Sequence, residues 1–146
     1  MAAIRLAALC LLSLLWPAGS AWALDLVVVV NPGCAVARLT RDDVINLYMG
    51  RLRKLPDGTA VRPIDLLTSS GQEKQQFYQR LLSRDLSEVR AYWARLTFSG
   101  QASPPVQAET TEEVLSLVQR NPGGIGYVER SRSDARVRIV FELGDK

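Results

Sequence analysis

The chain has 146 residues, 47% of them hydrophobic, with 18 basic against 15 acidic side chains and a formal charge of +3. Charges of both signs are interspersed, so the balance gives no reason to propose nucleic acid as a partner. There is no histidine, which removes the commonest general base, the commonest metal ligand and every Ser–His or Cys–His catalytic arrangement; no catalytic residue, metal, cofactor or enzymatic activity is expected.

After Arg5 the run from Leu6 to Leu15 is almost wholly apolar and leads through Pro17 and Gly19 to Ala21-Trp22-Ala23. This reads as a secretory signal peptide over residues 1–23, cleaved after Ala23, with the product periplasmic or secreted. The run is too short to span a bilayer, and nothing later reaches that length, so no membrane span is expected after cleavage. Cys10 leaves with the signal. Cys34 is then the one remaining cysteine, either a small buried side chain or a thiol able to pair between molecules.

Residues 24–146 read as one domain with strand and helix patterns in alternation. Leu24 to Val30 is a nearly unbroken apolar, β-branched run, the pattern of a strand covered on both faces of a parallel sheet. Asn31-Pro32-Gly33 ends it, leaving a loop at the strand's C-terminal end, where open α/β sheets place ligands. Thr40 caps a helix to about Met49, with Asp43 at the capping-box position and Gly50 where a left-handed residue belongs. A basic loop, Arg51-Leu52-Arg53-Lys54-Leu55, turns at Pro56-Asp57-Gly58 toward a strand between Val61 and Leu67. Pro63 implies that this strand starts only after it or lies at an edge.

From Gly71, residues Phe77, Tyr78, Leu81 and Leu82 give an amphipathic helix, and Val89, Tyr92, Trp93 and Leu96 repeat the helical spacing. Gly100 to Pro105 is a loop. Thr110-Thr111-Glu112-Glu113 opens a fourth helix that stops at Asn121-Pro122-Gly123-Gly124. Ile125 to Val128 is a short strand, and Val137, Ile139, Phe141 and Leu143 alternate as the last.

Leu39-Thr40-Arg41-Asp42-Asp43-Val44 through Tyr48-Met49-Gly50, then Pro56-Asp57-Gly58, then Ser69-Ser70-Gly71 with Phe77, then Pro122-Gly123-Gly124-Ile125-Gly126-Tyr127-Val128 form an ordered set across residues 24–146. The set resembles the phosphate-binding periplasmic proteins of ABC transporters. The resemblance implies an α/β fold, a single three-layer lobe with a mostly parallel sheet flanked by helices, periplasmic-binding-protein-like. It implies an exported solute-binding protein that holds phosphate or a related oxyanion without chemistry, in phosphate ABC transport or sensing. The alternative is an envelope protein–protein interaction module on the same fold with a decayed ligand site.

In that family phosphate lies between two lobes, held by helix-start N–H groups, hydroxyls, an arginine and an aspartate. Residues 24–146 have room for one lobe. Alignment on Ser70 places Leu66 and Thr68 where the family's arginine and aspartate stand, and Gln72 where its threonine stands. The expected anion-binding residues are Thr68, Ser69, Ser70, Gly71, Gln72 and Arg62, at the start of a helix whose free N–H groups and dipole favour an anion; Asp65 is close in sequence. The same turn has a second reading, a Ser70–Glu73 capping box that satisfies those donors internally. Three charge-assisted hydrogen bonds at about 1.5–3 kcal/mol each, against an ordering cost of about 4 kcal/mol or more, support weak binding at an open site. A tight site needs a second wall, from a homodimer mate or from an envelope transporter or sensor protein.

Overall fold

A computed structural model describes residues 22–67 and 71–144. Residues 1–21, most of the expected signal peptide, and Thr68, Ser69 and Ser70 lie outside the described residues. Among the described residues nine strands and α-helices follow in order: β1 (Leu26–Val30), α1 (Arg41–Tyr48), β2 (Arg62–Leu66), α2 (Glu73–Leu82), α3 (Leu86–Phe98), β3 (Val106–Ala108), α4 (Thr111–Arg120), β4 (Gly124–Glu129) and β5 (Arg138–Glu142), with a 3-10 turn at Arg130–Arg132 before the last.

The strands form one sheet in the order β3-β2-β4-β1-β5. β2 is parallel to β3 and β4, whereas β1 is antiparallel to β4 and β5. Four strands therefore share a direction and β1 is reversed. All five residues of β1 are buried, as its apolar run requires. Burial on both faces does not specify direction, and the expected parallel setting of this strand is corrected to an antiparallel one.

Pro63 lies within β2, and β2 lies inside the sheet, so neither the later start nor the edge position expected from it holds. The reason is local. Arg62 N donates to Gly123 O on the β4 side, so the nitrogen of Pro63 faces β3, and the β2–β3 ladder begins one residue later at Ile64↔Val106. No ladder bond is lost.

Tyr127 and Gly126 are neighbours in β4 and face opposite sides of the sheet. The ring of Tyr127 stacks on Phe77 of α2, with centroids 3.8 Å apart. A Cβ on Gly126 would lie 2.6 Å from Val114 of α4. Helices α2 and α4 thus cover opposite faces, which gives the three layers. At β5 a register shift opposite Val28/Val29 interrupts the alternation, so Val140 is buried while Ile139 and Phe141 are half-buried.

Three helices start on a side-chain cap. Thr40 caps α1 through a reciprocal box with Asp43, Asp85 caps α3 through one with Glu88, and Thr110 accepts from Glu113 N at the start of α4. Gly50, with φ +71°, ends α1 in the left-handed conformation expected of it.

Candidate functional site

β2 ends at Leu66, and Leu67 N donates to Ala108 O at the end of β3 (2.9 Å). The chain therefore leaves β2 at the C-terminal edge of the parallel pair, where α2 begins after Gln72 and α4 begins after Thr110. Gly71 has φ +110°, a conformation that side chains disfavour. A Cβ there would be 2.7 Å from Glu73 Oε2, so the Glu73 carboxylate stands over Gly71. Gln72 occupies the N-cap position and makes no side-chain capping bond; its Oε1 accepts from Gln76 Nε2.

Glu73 is the first helical residue of α2. A box capped from Ser70 would make it the third; Ser70 lies outside the described residues, and the Glu73 carboxylate packs against Gly71 from the helix's first position. It still places negative charge at the helix start, where an anion would lie.

Asp65, one residue before the end of β2, is 3% exposed. Tyr78 Oη donates to its Oδ2 (2.9 Å), Tyr127 Oη donates to its Oδ1, and Lys74 Nζ lies 3.2 Å from Oδ2. Tyr127 Oη also accepts from Leu66 N (3.3 Å). A buried carboxylate persists when its lone pairs are filled, as here by two hydroxyls and an ammonium. Burial, and then the negative charge of Asp65, pushes the hydroxyls of Tyr48, Tyr78 and Tyr127 well above their ordinary range. All three remain neutral donors; Tyr48 Oη bonds Ile64 O (3.0 Å).

Lys74 is the cation that reading by alignment missed. It lies in the first turn of α2, its side chain is 13% exposed, and its charge is matched by Asp65. Its position after the turn was visible, but nothing local shows that its side chain returns to β2.

The structure brings Gly71 and Gln72 together with Glu73, Lys74 and Asp65, and leaves Arg62 apart. Arg62 opens β2 in register with Gly124, and four strand steps of about 3.3 Å put some 13 Å of β2 between it and the end that leads to the turn. The assignment of Arg62 to the turn is therefore corrected. The Asn31-Pro32-Gly33-Cys34 loop is also at that far edge, because β1 runs opposite to β2. Asn31 Nδ2 donates to Val118 O and Gln119 O, tying the loop to the end of α4. Cys34 is buried, with Sγ 3.8 Å from Asp57 Oδ2. Among the described residues no group of His, Cys, Asp and Glu is placed to hold a metal ion, and no helix is long and apolar enough to cross a membrane.

No family model and no curated protein matches the chain. Its mixed five-stranded sheet between helices is similar in fold to a part of solved substrate-binding proteins of phosphate ABC transporters. An ABC-type phosphate transport receptor from Vibrio cholerae superposes with a TM-score of 0.64 at 18% identity, over 80% of this chain and 45% of that one. A protein from Clostridium perfringens, described as a putative phosphate ABC transporter substrate-binding protein and solved with bound phosphate, gives 0.64 at 17% identity, over 80% and 44%. PstS from Borrelia burgdorferi gives 0.55 at 12%, over 81% and 47%. The chain thus spans less than half the length of each of these three structures, and the likeness is one of fold.

Proposed function

We propose that this chain is an exported solute-binding-like protein that holds phosphate or a related oxyanion, without chemistry, at the turn between β2 and α2. The anion-binding set is Thr68, Ser69, Ser70, Gly71 and Gln72. Residues 1–23 act as a cleaved signal, and the product works in the periplasm or outside the cell, in phosphate transport or sensing. One observation carries the reading: in a lobe similar in fold to part of solved phosphate receptors, α2 is the one α-helix among the described residues whose N-cap residue makes no side-chain cap, and Gly71 approaches it in a left-handed conformation. Exposed first-turn N–H groups are the usual anion ligands of such folds.

Glu73 limits the affinity, because its carboxylate competes for the same dipole. Calorimetric titration with phosphate and sulfate tests the reading. Weak saturable binding is expected, tightened about threefold or more in Glu73→Gln, the size of one helix-start charge. If the amide signals of Gly71 to Lys74 stay fixed at tens of millimolar phosphate, a concentration above any useful weak site, the proposal fails.

The second reading, an envelope interaction module, is favoured by Phe98, which is 96% exposed at the end of α3, and by Leu52, 40% exposed. An envelope transporter, a sensor or a second copy of the chain would then dock there, at the end of the sheet away from the turn. Loss of the partner from pull-downs with Phe98→Ser, with phosphate binding absent, would favour this reading over the first.

A further inference from the structure

At the N-terminal edge of β2 and β3, the end of the sheet away from the turn, a half-open groove of about 550 Å³ runs between the α1–β2 loop and the α3–β3 loop. This volume is typical of small-molecule sites. Val61, Trp93, Pro104 and Pro105 supply apolar wall, and Arg53 and Arg62 supply charge; the lining contains no aspartate or glutamate. The two arginines differ. Arg53 Nη2 donates to Gln101 O (2.9 Å), joining the two loops across the groove. Arg62 is exposed, and its side chain has no hydrogen bond or ion pair among the described residues.

The helices that end here do not neutralise that charge. Asn46 O near the end of α1 accepts from Arg51 N and Leu52 N, and Leu96 O near the end of α3 accepts from Gln101 N. Their terminal carbonyls are thus taken by the chain's own donors. Trp93 is 8% exposed, and its indole Nε1 is buried with no hydrogen-bond partner among the described residues. Trp93 is a lining residue of the groove, so its indole signal reports on what binds there.

We infer that this groove is a second binding site, for a small amphipathic carboxylic acid: the carboxylate pairs with Arg62 and an aromatic or branched body packs on Trp93, Pro104 and Pro105. A planar guanidinium suits a carboxylate better than an ammonium does. The apolar wall distinguishes this ligand from inorganic phosphate, for which hydrocarbon offers nothing.

The test uses the whole chain labelled with ¹⁵N, following the Trp93 indole signal, which is assigned by its loss in Trp93→Phe. Phenylacetate is expected to shift that signal saturably. Acetate, which lacks the body, and phenylacetamide, which lacks the charge, are expected to bind at least about tenfold more weakly. Arg62→Gln should weaken phenylacetate by a similar factor and leave phenylacetamide unchanged, with Arg62→Lys in between. Inorganic phosphate should move the Gly71 and Gln72 amides and not the indole, so failure at one site is separable from failure at the other. The inference is overturned if phenylacetate does not saturate by about 10 mM, if phenylacetamide matches it, or if Arg62→Gln binds as the parent does. It is also overturned if an acidic peptide shifts the indole and phenylacetate does not, which would make the groove a protein-docking surface.

Discussion

Lys74→Met tests whether the ion pair beside the turn is structural. The substitution keeps the length and helix propensity of the side chain and removes the cation paired with Asp65 (3.2 Å) among the described residues. Asp65 is 3% exposed and cannot rehydrate without moving β2. Breaking one side of a buried pair costs about 3–5 kcal/mol. Two features bring the expectation here to about 2–3 kcal/mol: Asp65 keeps hydrogen bonds from Tyr78 and Tyr127, and the Lys74 side chain retains 13% exposure. For a domain of this size that is a fall in Tm of about 10 °C.

The partner substitution Asp65→Asn leaves an ammonium that can reach water along a flexible stem, so Lys74 suffers less than Asp65 does. In its place it sets an amide NH₂ among three donors, at about 2 kcal/mol. Urea unfolding of the parent, both single variants and the double variant closes the cycle. The double variant should be less destabilised than the sum of the singles by at least about 1 kcal/mol. Additivity within about 0.5 kcal/mol would refute the coupling and with it the argument that Lys74 is committed to Asp65.

Tyr127→Phe removes a donor to Asp65 and an acceptor for Leu66 N, and should cost about 2 kcal/mol in urea unfolding with the Phe77 stack retained. Gly71→Ala puts a side chain at φ +110° and 2.7 Å from the Glu73 carboxylate; a loss of about 1–2 kcal/mol is expected, together with weakened phosphate binding in calorimetry. Arg136 holds Asp134 down at about 2 and Glu112 below its usual range, by hydrogen bonds to both carboxylates. Folded values below unfolded ones mean stability that is present above pH 4 and lost as pH falls toward 2. The parent and Arg136→Gln should therefore differ in Tm at pH 6 in low salt and converge near pH 2; a constant gap would refute the assignment.

What sequence made legible was what bonds locally. The Thr40–Asp43 box and the left-handed Gly50 lie within one helix and its ends, and both formed where the residues required. The Asp85–Glu88 box carries the same local signal and was there to be read. Direction and partnership were not legible. β1 shows burial on both faces whether it runs with or against its neighbours, and its partners β4 and β5 lie at the far end of the chain. β3 has three residues, too few for an alternation to register. The site divided along the same line: Gly71 was marked by its own turn chemistry, whereas the Asp65–Lys74–Tyr78–Tyr127 cluster exists only once α2 folds back onto β2 and β4.

The separation of Arg62 from the turn constrains how any phosphate affinity can arise. An anion at Gly71 cannot draw on a guanidinium at the other end of β2, and Lys74, three residues after Gly71, is already held by Asp65. The hydrogen bonds from turn amides and hydroxyls then stand against the charge of Glu73, which predicts weak binding. Micromolar affinity would require a charge from elsewhere, and two sources are separable by experiment. If Lys74 leaves Asp65 to meet the ligand, Lys74→Met abolishes binding at every protein concentration. If a second copy or another envelope protein supplies the cation, affinity rises with the concentration of that partner and Lys74→Met leaves that dependence intact. The missing positive charge is therefore the property by which a self-contained weak receptor and one wall of a composite site are told apart.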